Sequence, residues 1–255
     1  MSRLDGQVAI VTGAARGLGA AFARALAAEG CAVTVTDRLD EVAKVGVEIG
    51  GMAFVGDVAD AAHVREVVDA TVGDHGRIDI CVNNAGEVWP TGPLDPWEKA
   101  LEDYDRLMGS NCRGAFLFGR ACAPIMVAGG GGNIVNISTD HVKSAPENGR
   151  HHGHGAMDLY NASKWALNGF TFDWAKVLAD KGVRVNNICM GATDTEMLRG
   201  WAGPDADPEW VAKWMDPADT AEVLVQLIAE GPDGRTGDSI GLWVDHPVVL
   251  PPPEA

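Results

Sequence analysis

The chain has 255 residues, 46% of them hydrophobic and 22% charged. That length and balance suit one α/β domain with a sizeable core and exclude a disordered chain. Lys and Arg number 20 against 36 Asp and Glu, a net charge of −16; a field of that sign repels phosphate backbones and anionic lipid, so neither nucleic acid nor a membrane is an expected partner.

The predicted elements alternate from start to finish. Val8 to Thr12 reads as a strand and Leu18 to Ala28 as a helix. Cys31 to Thr36 is followed by a short polar helix, and Met52 to Val55 by a helix over His63 to Val72. Ile78 to Val82 precedes a long helical region from Pro96 to Val127, then come Asn133 to Ser138, Leu159 to Ala179, Val183 to Cys189, Ala218 to Ala229 and Ser239 to Val244. Seven strands separated by helices predict one parallel sheet, doubly wound, with helices on both faces in a three-layer α/β domain over 1–255. The polar stretch from Thr139 to Asp158, with His151, His152 and His154, has neither period and reads as a long loop.

The five cysteines are an odd number with no C-x-x-C pair, which argues against a disulfide framework and a zinc site and for reduced, mostly buried thiols. Residues Met1 to Gln7 lack the basic and apolar regions of a signal peptide. No apolar run approaches the ~20 residues of a membrane span, so a cytoplasmic location is expected.

After the first strand comes Thr12-Gly13-Ala14-Ala15-Arg16-Gly17-Leu18-Gly19. Glycines in such a turn let backbone N–H groups and the positive end of a helix dipole face a pyrophosphate. The plain alternative is the glycine-rich turn of any α/β protein. Asp37 ends the second strand eighteen residues past Gly19, where a carboxylate accepts hydrogen bonds from a ribose 2′-hydroxyl and repels a 2′-phosphate. NAD is therefore expected over NADP, although Arg16 and Arg38 are nearby cations able to tolerate a phosphate.

Further motifs follow in order: Asp57-Val58, Asn83-Asn84-Ala85-Gly86, Asn111, Ser138 and Tyr160-x-x-x-Lys164. With the glycine turn, they make the sequence resemble the short-chain dehydrogenase/reductase family over nearly the whole chain. The resemblance implies a Rossmann-type fold with Asp57 and Val58 flanking the adenine and Asn84, Ala85 and Gly86 supporting the cofactor. It also implies a catalytic tetrad of Asn111, Ser138, Tyr160 and Lys164, with Lys164 on the ribose hydroxyls and Asn111 holding a proton-relaying water. Apart from Asn111 and the Tyr-Lys pair, these clusters fall just past the carboxyl ends of predicted strands, the edge where open parallel sheets bind ligands.

Tyr160 and Lys164 are four apart on one helix face, close enough for an ammonium to sit near a phenol. An ordinary phenol, with a pKa of ~10, is about one part in a thousand ionised at pH 7, and making it a usable base requires roughly 4 kcal/mol of differential stabilisation. Lys164 is expected to supply part of it through its charge. Tyr160 then takes the proton of an alcohol, and Ser138 holds the substrate oxygen.

The sequence departs from the family in three places, one of them Asp245-His246-Pro247 at the end of the last strand, where the usual run is Asp-Gly-Gly. The Ser138 to Tyr160 interval is long, placing an insertion at about 141–157 beside the catalytic residues; a lid, a solvated insertion and a subunit contact all remain open. Met190-Gly191 stands where the family commonly has Pro-Gly; Gly191, Thr193 and Thr195 are implied to meet the nicotinamide end. The variable substrate loop, about 192–216, holds Met197, Leu198, Trp201, Trp210, Trp214 and Met215, either a pocket wall for a hydrophobic or ring-bearing substrate or a subunit contact. The tail Val248 to Pro251 reads as a contact in a homo-oligomer, a dimer or tetramer.

The expected activity is hydride transfer between NAD and a secondary alcohol or ketone, with no metal. A 3-oxoacyl reductase using NADPH and a non-catalytic dinucleotide-binding regulator are the alternatives.

Overall fold

The β-branched runs form seven strands: β1 (Val8–Thr12), β2 (Ala32–Asp37), β3 (Met52–Val55), β4 (Ile80–Asn83), β5 (Gly132–Thr139), β6 (Val183–Met190) and β7 (Ser239–Leu242). All pair in parallel, in the order β3-β2-β1-β4-β5-β6-β7. The computed structural model describes residues 2–144, 149 and 155–253. His151, His152 and His154 lie outside the described residues.

Nine α-helices are described: α1 (Gly17–Ala28), α2 (Val42–Ile49), α3 (Ala61–His75), α4 (Trp97–Met108), α5 (Gly114–Ala128), α6 (Asp158–Leu178), α7 (Glu196–Ala202), α8 (Pro208–Val211) and α9 (Pro217–Ala229). On one face, Phe22 and Leu26 of α1 and Leu224 and Ile228 of α9 pack over Val11, Val33 and Ile240. On the other, Val67 of α3 and Phe118 and Met126 of α5 pack over Ile10, Cys81 and Ile134. Successive strand side chains therefore feed opposite cores, which is why β1 and β6 are buried throughout and read as continuous apolar runs.

Two expectations need correction. The helical run from Pro96 to Val127 is broken by a π-helical turn at Gly109–Arg113, because the side chain of Asn111 is drawn inward to partners that local sequence does not reveal. The tail is not simply an oligomer contact: Val248 and Leu250 pack on the α1/α9 core, and Arg235 Nη1 donates to the Pro251 carbonyl at 2.9 Å. Those two side chains are thus partly buried against their own chain. Only Val249 among these valines and leucines is strongly exposed.

A chain of buried polar side chains crosses the second half of the sheet. Asn83 Nδ2 donates to Asn136 Oδ1 (2.9 Å), and Asn136 Nδ2 to Thr171 Oγ1 (2.8 Å). Thr171 Oγ1 donates to Asn187 Oδ1 (2.7 Å), and Asn187 Nδ2 to Asn168 Oδ1 (2.6 Å). Asn168 Nδ2 ends the chain on the Val142 carbonyl (3.3 Å). Each member is satisfied, so burial carries no orphan penalty, and α6 is fixed to β4, β5 and β6 by directional bonds as well as by apolar packing.

Candidate active site

The strand order reverses between β1 and β4, and a cavity of about 650 Å³ opens along the carboxyl edge there, lined from Gly13 to Val244. Its floor is the glycine turn. Gly13 (φ +66°) and Gly17 (φ +53°) occupy left-handed conformations, and a Cβ at Gly19 would lie 2.1 Å from the Gly13 carbonyl oxygen. Thr12 joins the two strands: its Oγ1 accepts from Asn84 N (3.1 Å) and Ala85 N (3.0 Å). Asn84 Nδ2 returns bonds to the carbonyls of Thr12 (2.9 Å) and Gly13 (3.0 Å). Asn84 thus braces the turn.

Helix α1 starts with Arg16 in extended backbone and no side-chain cap, unlike α3, α7, α8 and α9, which Asp60, Thr195, Asp207 and Asp216 cap. The uncapped turn, with Arg16, Gly17, Leu18 and Gly19, lines the cavity, an arrangement suited to an anion. Asp37 lines it too, with Oδ2 accepting from Ala15 N and Oδ1 from Leu39 N, both at 3.0 Å. Those two bonds aim the carboxylate and leave lone pairs for ribose hydroxyls. Asp57, whose Oδ1 accepts from Ala59 N (2.8 Å), and the buried Val58 complete this end. An uncapped helix start, side-chain-free glycines and an aimed carboxylate fit a nicotinamide dinucleotide.

Glu87, next to Gly86, holds two cations. Its Oε1 accepts from Arg38 Nη1 at 2.6 Å and its Oε2 from Arg106 Nε at 2.8 Å. Arg106 also lies 4.7 Å above the Trp89 ring. Burial opposes ionisation of Glu87, but the hydrogen bonds from Arg38 and Arg106 outweigh it and hold the carboxyl below its ordinary range. Sequence reading missed Glu87 because its partners are nonlocal.

Opposite the dinucleotide end, Ser138, Tyr160 and Lys164 line the same cavity. Ser138, at the end of β5, makes a long hydrogen bond to the Lys164 carbonyl (3.4 Å). Lys164 is 6% exposed, and its Nζ donates to the Ile137 carbonyl (2.8 Å) and stands 5.8 Å from the centre of the Tyr160 ring. Burial brings this ammonium down to about 8.

In the ligand-free protein the Tyr160 phenol lies above its ordinary value, not below it. Burial raises Tyr160 to about 12, a hydrogen bond from Thr139 only partly countering it and the nearby Asp140 adding to the rise. Desolvation is the largest influence on the phenol.

Asn111 stands behind this group at the π-turn, 1% exposed. Its Oδ1 accepts from Glu87 N (2.7 Å) and Ser110 Oγ (2.8 Å). Its Nδ2 donates to the Glu87 carbonyl (2.9 Å) and Ser163 Oγ (3.1 Å). All four hydrogen-bonding sites of the carboxamide are occupied by protein groups. Ser163, missed in the sequence, ties it to α6.

The remaining wall is the segment after β6. Gly191, Thr193 and Thr195 line the cavity, as do Met197, Leu198, Trp201 and Trp210. The Trp201 and Trp210 rings meet edge to face at 6.4 Å, and Trp210 and Trp214 at 4.8 Å. Facing them is His141, absent from the predicted set, with Nδ1 3.0 Å from Asn161 Oδ1 and its ring edge-on to Tyr160. No cluster of metal-ligating side chains occurs among the described residues. Among them, no helix is long and apolar enough to cross a membrane.

Fold and cavity define an oxidoreductase of the doubly wound, dinucleotide-binding class. Residues 7–204 match the family model described as short chain dehydrogenase, and the chain belongs to that family, whose members use NAD or NADP. It is 39% identical over 212 residues to a D-threitol dehydrogenase of Mycolicibacterium smegmatis, covering 80% of this chain and 77% of that one. A 3-alpha-(or 20-beta)-hydroxysteroid dehydrogenase of Mycobacterium tuberculosis is 34% identical over 238 residues, 92% of this chain and 87% of the other. Among solved structures, a 3-ketoacyl-(acyl-carrier-protein) reductase from Brucella melitensis complexed with NADH is similar at a TM-score of 0.80 and 27% identity, covering 94% and 98% of the two chains.

Proposed function

We propose that this chain is an NAD-dependent dehydrogenase interconverting a secondary alcohol and its ketone, with Tyr160 as general acid and base. The observation that carries the reading is the convergence of Ser138, Tyr160 and Lys164 on the cavity that also holds the glycine turn and Asp37. Bound NAD supplies a hydride acceptor and a positive charge.

The chain's own residues do the rest. Asp37, at the end of β2, selects an unphosphorylated ribose, and the uncapped α1 turn with Asn84, Ala85 and Gly86 takes the diphosphate. Gly191, Thr193 and Thr195 hold the nicotinamide end. Ser138 Oγ donates to the substrate oxygen, and Tyr160 Oη takes the hydroxyl proton in oxidation or returns it in reduction. Lys164 binds ribose hydroxyls and adds positive charge beside the phenol. Asn111 positions this group through Ser163 and the main chain of Glu87. Positive charge arriving next to a phenol that burial holds near 12 lowers it toward working pH.

Met197, Leu198, Trp201 and Trp210, with His141 and Met157 on the same cavity, support a hydrophobic or ring-bearing substrate. Exposed Trp97, Leu101 and Tyr104 on α4 support a homo-oligomer. A net charge of −16 speaks against an acidic carrier protein as substrate, and so against the 3-oxoacyl reductase alternative.

The test is an assay of purified protein with NAD or NADP against cyclic secondary alcohols, polyols and 3-hydroxyacyl thioesters. NADH formation with cyclic alcohols, lost by about 10³-fold in Tyr160→Phe, is expected from removing the acid–base group. Activity that persists in that variant excludes Tyr160 as the base.

A further inference from the structure

Arg38 is one of two cations, with Arg16, that leave cofactor choice ambiguous in the sequence. It follows Asp37 at the end of β2, where a guanidinium accommodates a 2′-phosphate. In the folded chain that guanidinium is already engaged. Its Nη1 lies 2.6 Å from Glu87 Oε1 across the cavity, and Arg38, Asp37, Glu87 and Arg106 all line the same end. The Glu87 side chain is only 10% exposed, whereas Arg38 and Arg106 are 58% and 43% exposed. Glu87 is also fixed from behind, since its N–H and carbonyl are both bound by Asn111.

We propose that Glu87 is a specificity-determining residue that locks Arg38 away from the adenosine ribose, so that the cavity rejects a 2′-phosphate twice. Asp37 rejects it by direct repulsion; Glu87 does so by occupying Arg38, the cation next to Asp37, and adding a second negative charge. A phosphate recruiting Arg38 would leave a mostly buried carboxylate with Arg106 as its remaining partner. Arg106 cannot easily follow, because it lies over Trp89 and bonds the other carboxylate oxygen. The inference rests on the dinucleotide reading above and assigns Glu87 a role acting through Arg38 rather than on the reacting atoms.

Calorimetric binding of NAD and NADP to the full chain, without substrate, tests it. Wild type is expected to bind NAD well and NADP poorly. Glu87→Gln, which keeps the shape and removes the charge, should tighten NADP at least tenfold while NAD stays within about twofold, and Arg38→Ala on top of it should erase the gain. Glu87→Asp, whose shorter carboxylate withdraws from Arg38, should move NADP the same way by about threefold and covers a Gln variant that fails to fold. A ratio that neither Glu87 variant changes, or a gain that survives loss of Arg38, overturns the lock while leaving the dinucleotide reading intact. A wild type that binds neither nucleotide overturns both.

Discussion

Asn111 Nδ2 donates to Ser163 Oγ at 3.1 Å, joining the π-turn between α4 and α5 to the helix that carries Tyr160 and Lys164. Ser163 Oγ in turn donates to the Tyr160 carbonyl at 2.7 Å. Ser163→Ala leaves one buried amide donor unpaired, at a cost of about 1–2 kcal/mol. A lower melting temperature and a kcat reduced several-fold with KM within twofold are expected. Unchanged kcat would show that Asn111 does not position α6.

Only two tyrosines occur in the chain, Tyr104 and Tyr160. In Tyr104→Phe the near-ultraviolet phenolate signal therefore belongs to Tyr160 alone. Without ligand it should titrate near pH 12, against an ordinary 10.0. Adding NAD should move the midpoint down by at least one pH unit through the charge it brings. A midpoint indifferent to NAD removes Tyr160 from the reaction.

Lys164 gives a stability signature. Its folded value of about 8 lies below the ordinary 10.5, so between those pH values the unfolded chain holds a proton that the native one has released. Stability contributed by this site therefore rises with pH across that window and is flat below it. Lys164→Met should be more stable than wild type at pH 7, with the gap closing by on the order of 1 kcal/mol per pH unit above 8. Urea unfolding at several pH values measures it, and a constant gap would mean that the ammonium is not penalised by burial.

Gly19→Ala places a methyl group 2.1 Å from the Gly13 oxygen and 2.6 Å from Asn84 Nδ2. Backbone cannot yield cheaply there, so the turn must open. NAD affinity should fall at least tenfold, with a stability loss of about 1–3 kcal/mol. Gly73→Ala, where nothing lies within 4 Å, is the control. Equal NAD binding by both variants would exclude the turn as the diphosphate cradle.

Much of the scaffold was legible because strands covered on both faces leave a simple mark. β1 and β3 fall on the predicted ranges, and the others deviate by one or two residues at their ends. Gly13 and Asp37 were legible because they sit at strand ends, positions that spacing specifies, whereas Ser138 and Tyr160 were legible through resemblance to the family. The π-turn was not, since it depends on Asn111 meeting Glu87 and Ser163 across the fold. Helices α7 and α8 carried readable cues in Thr195 and in Asp207-Pro208, but the apolar residues between them drew attention to a loop. The phenol's rise was hidden because helical spacing gives proximity to an ammonium and says nothing about solvent.

The run of asparagine and threonine side chains from Asn83 to the Val142 carbonyl ties β4, β5 and β6 to α6 behind the cavity. Each amide in it gives in one direction and receives in the other, so the carrier of Ser138 and the carrier of Tyr160 cannot slide past each other without breaking several bonds at once. On the proposed function, accommodation of differently shaped alcohols falls to Met197, Trp201 and Trp210, which line the cavity outside this network. Diversification of this enzyme's substrate range should accordingly succeed at Met197, Trp201 and Trp210 and stall at Asn136, Thr171 and Asn187.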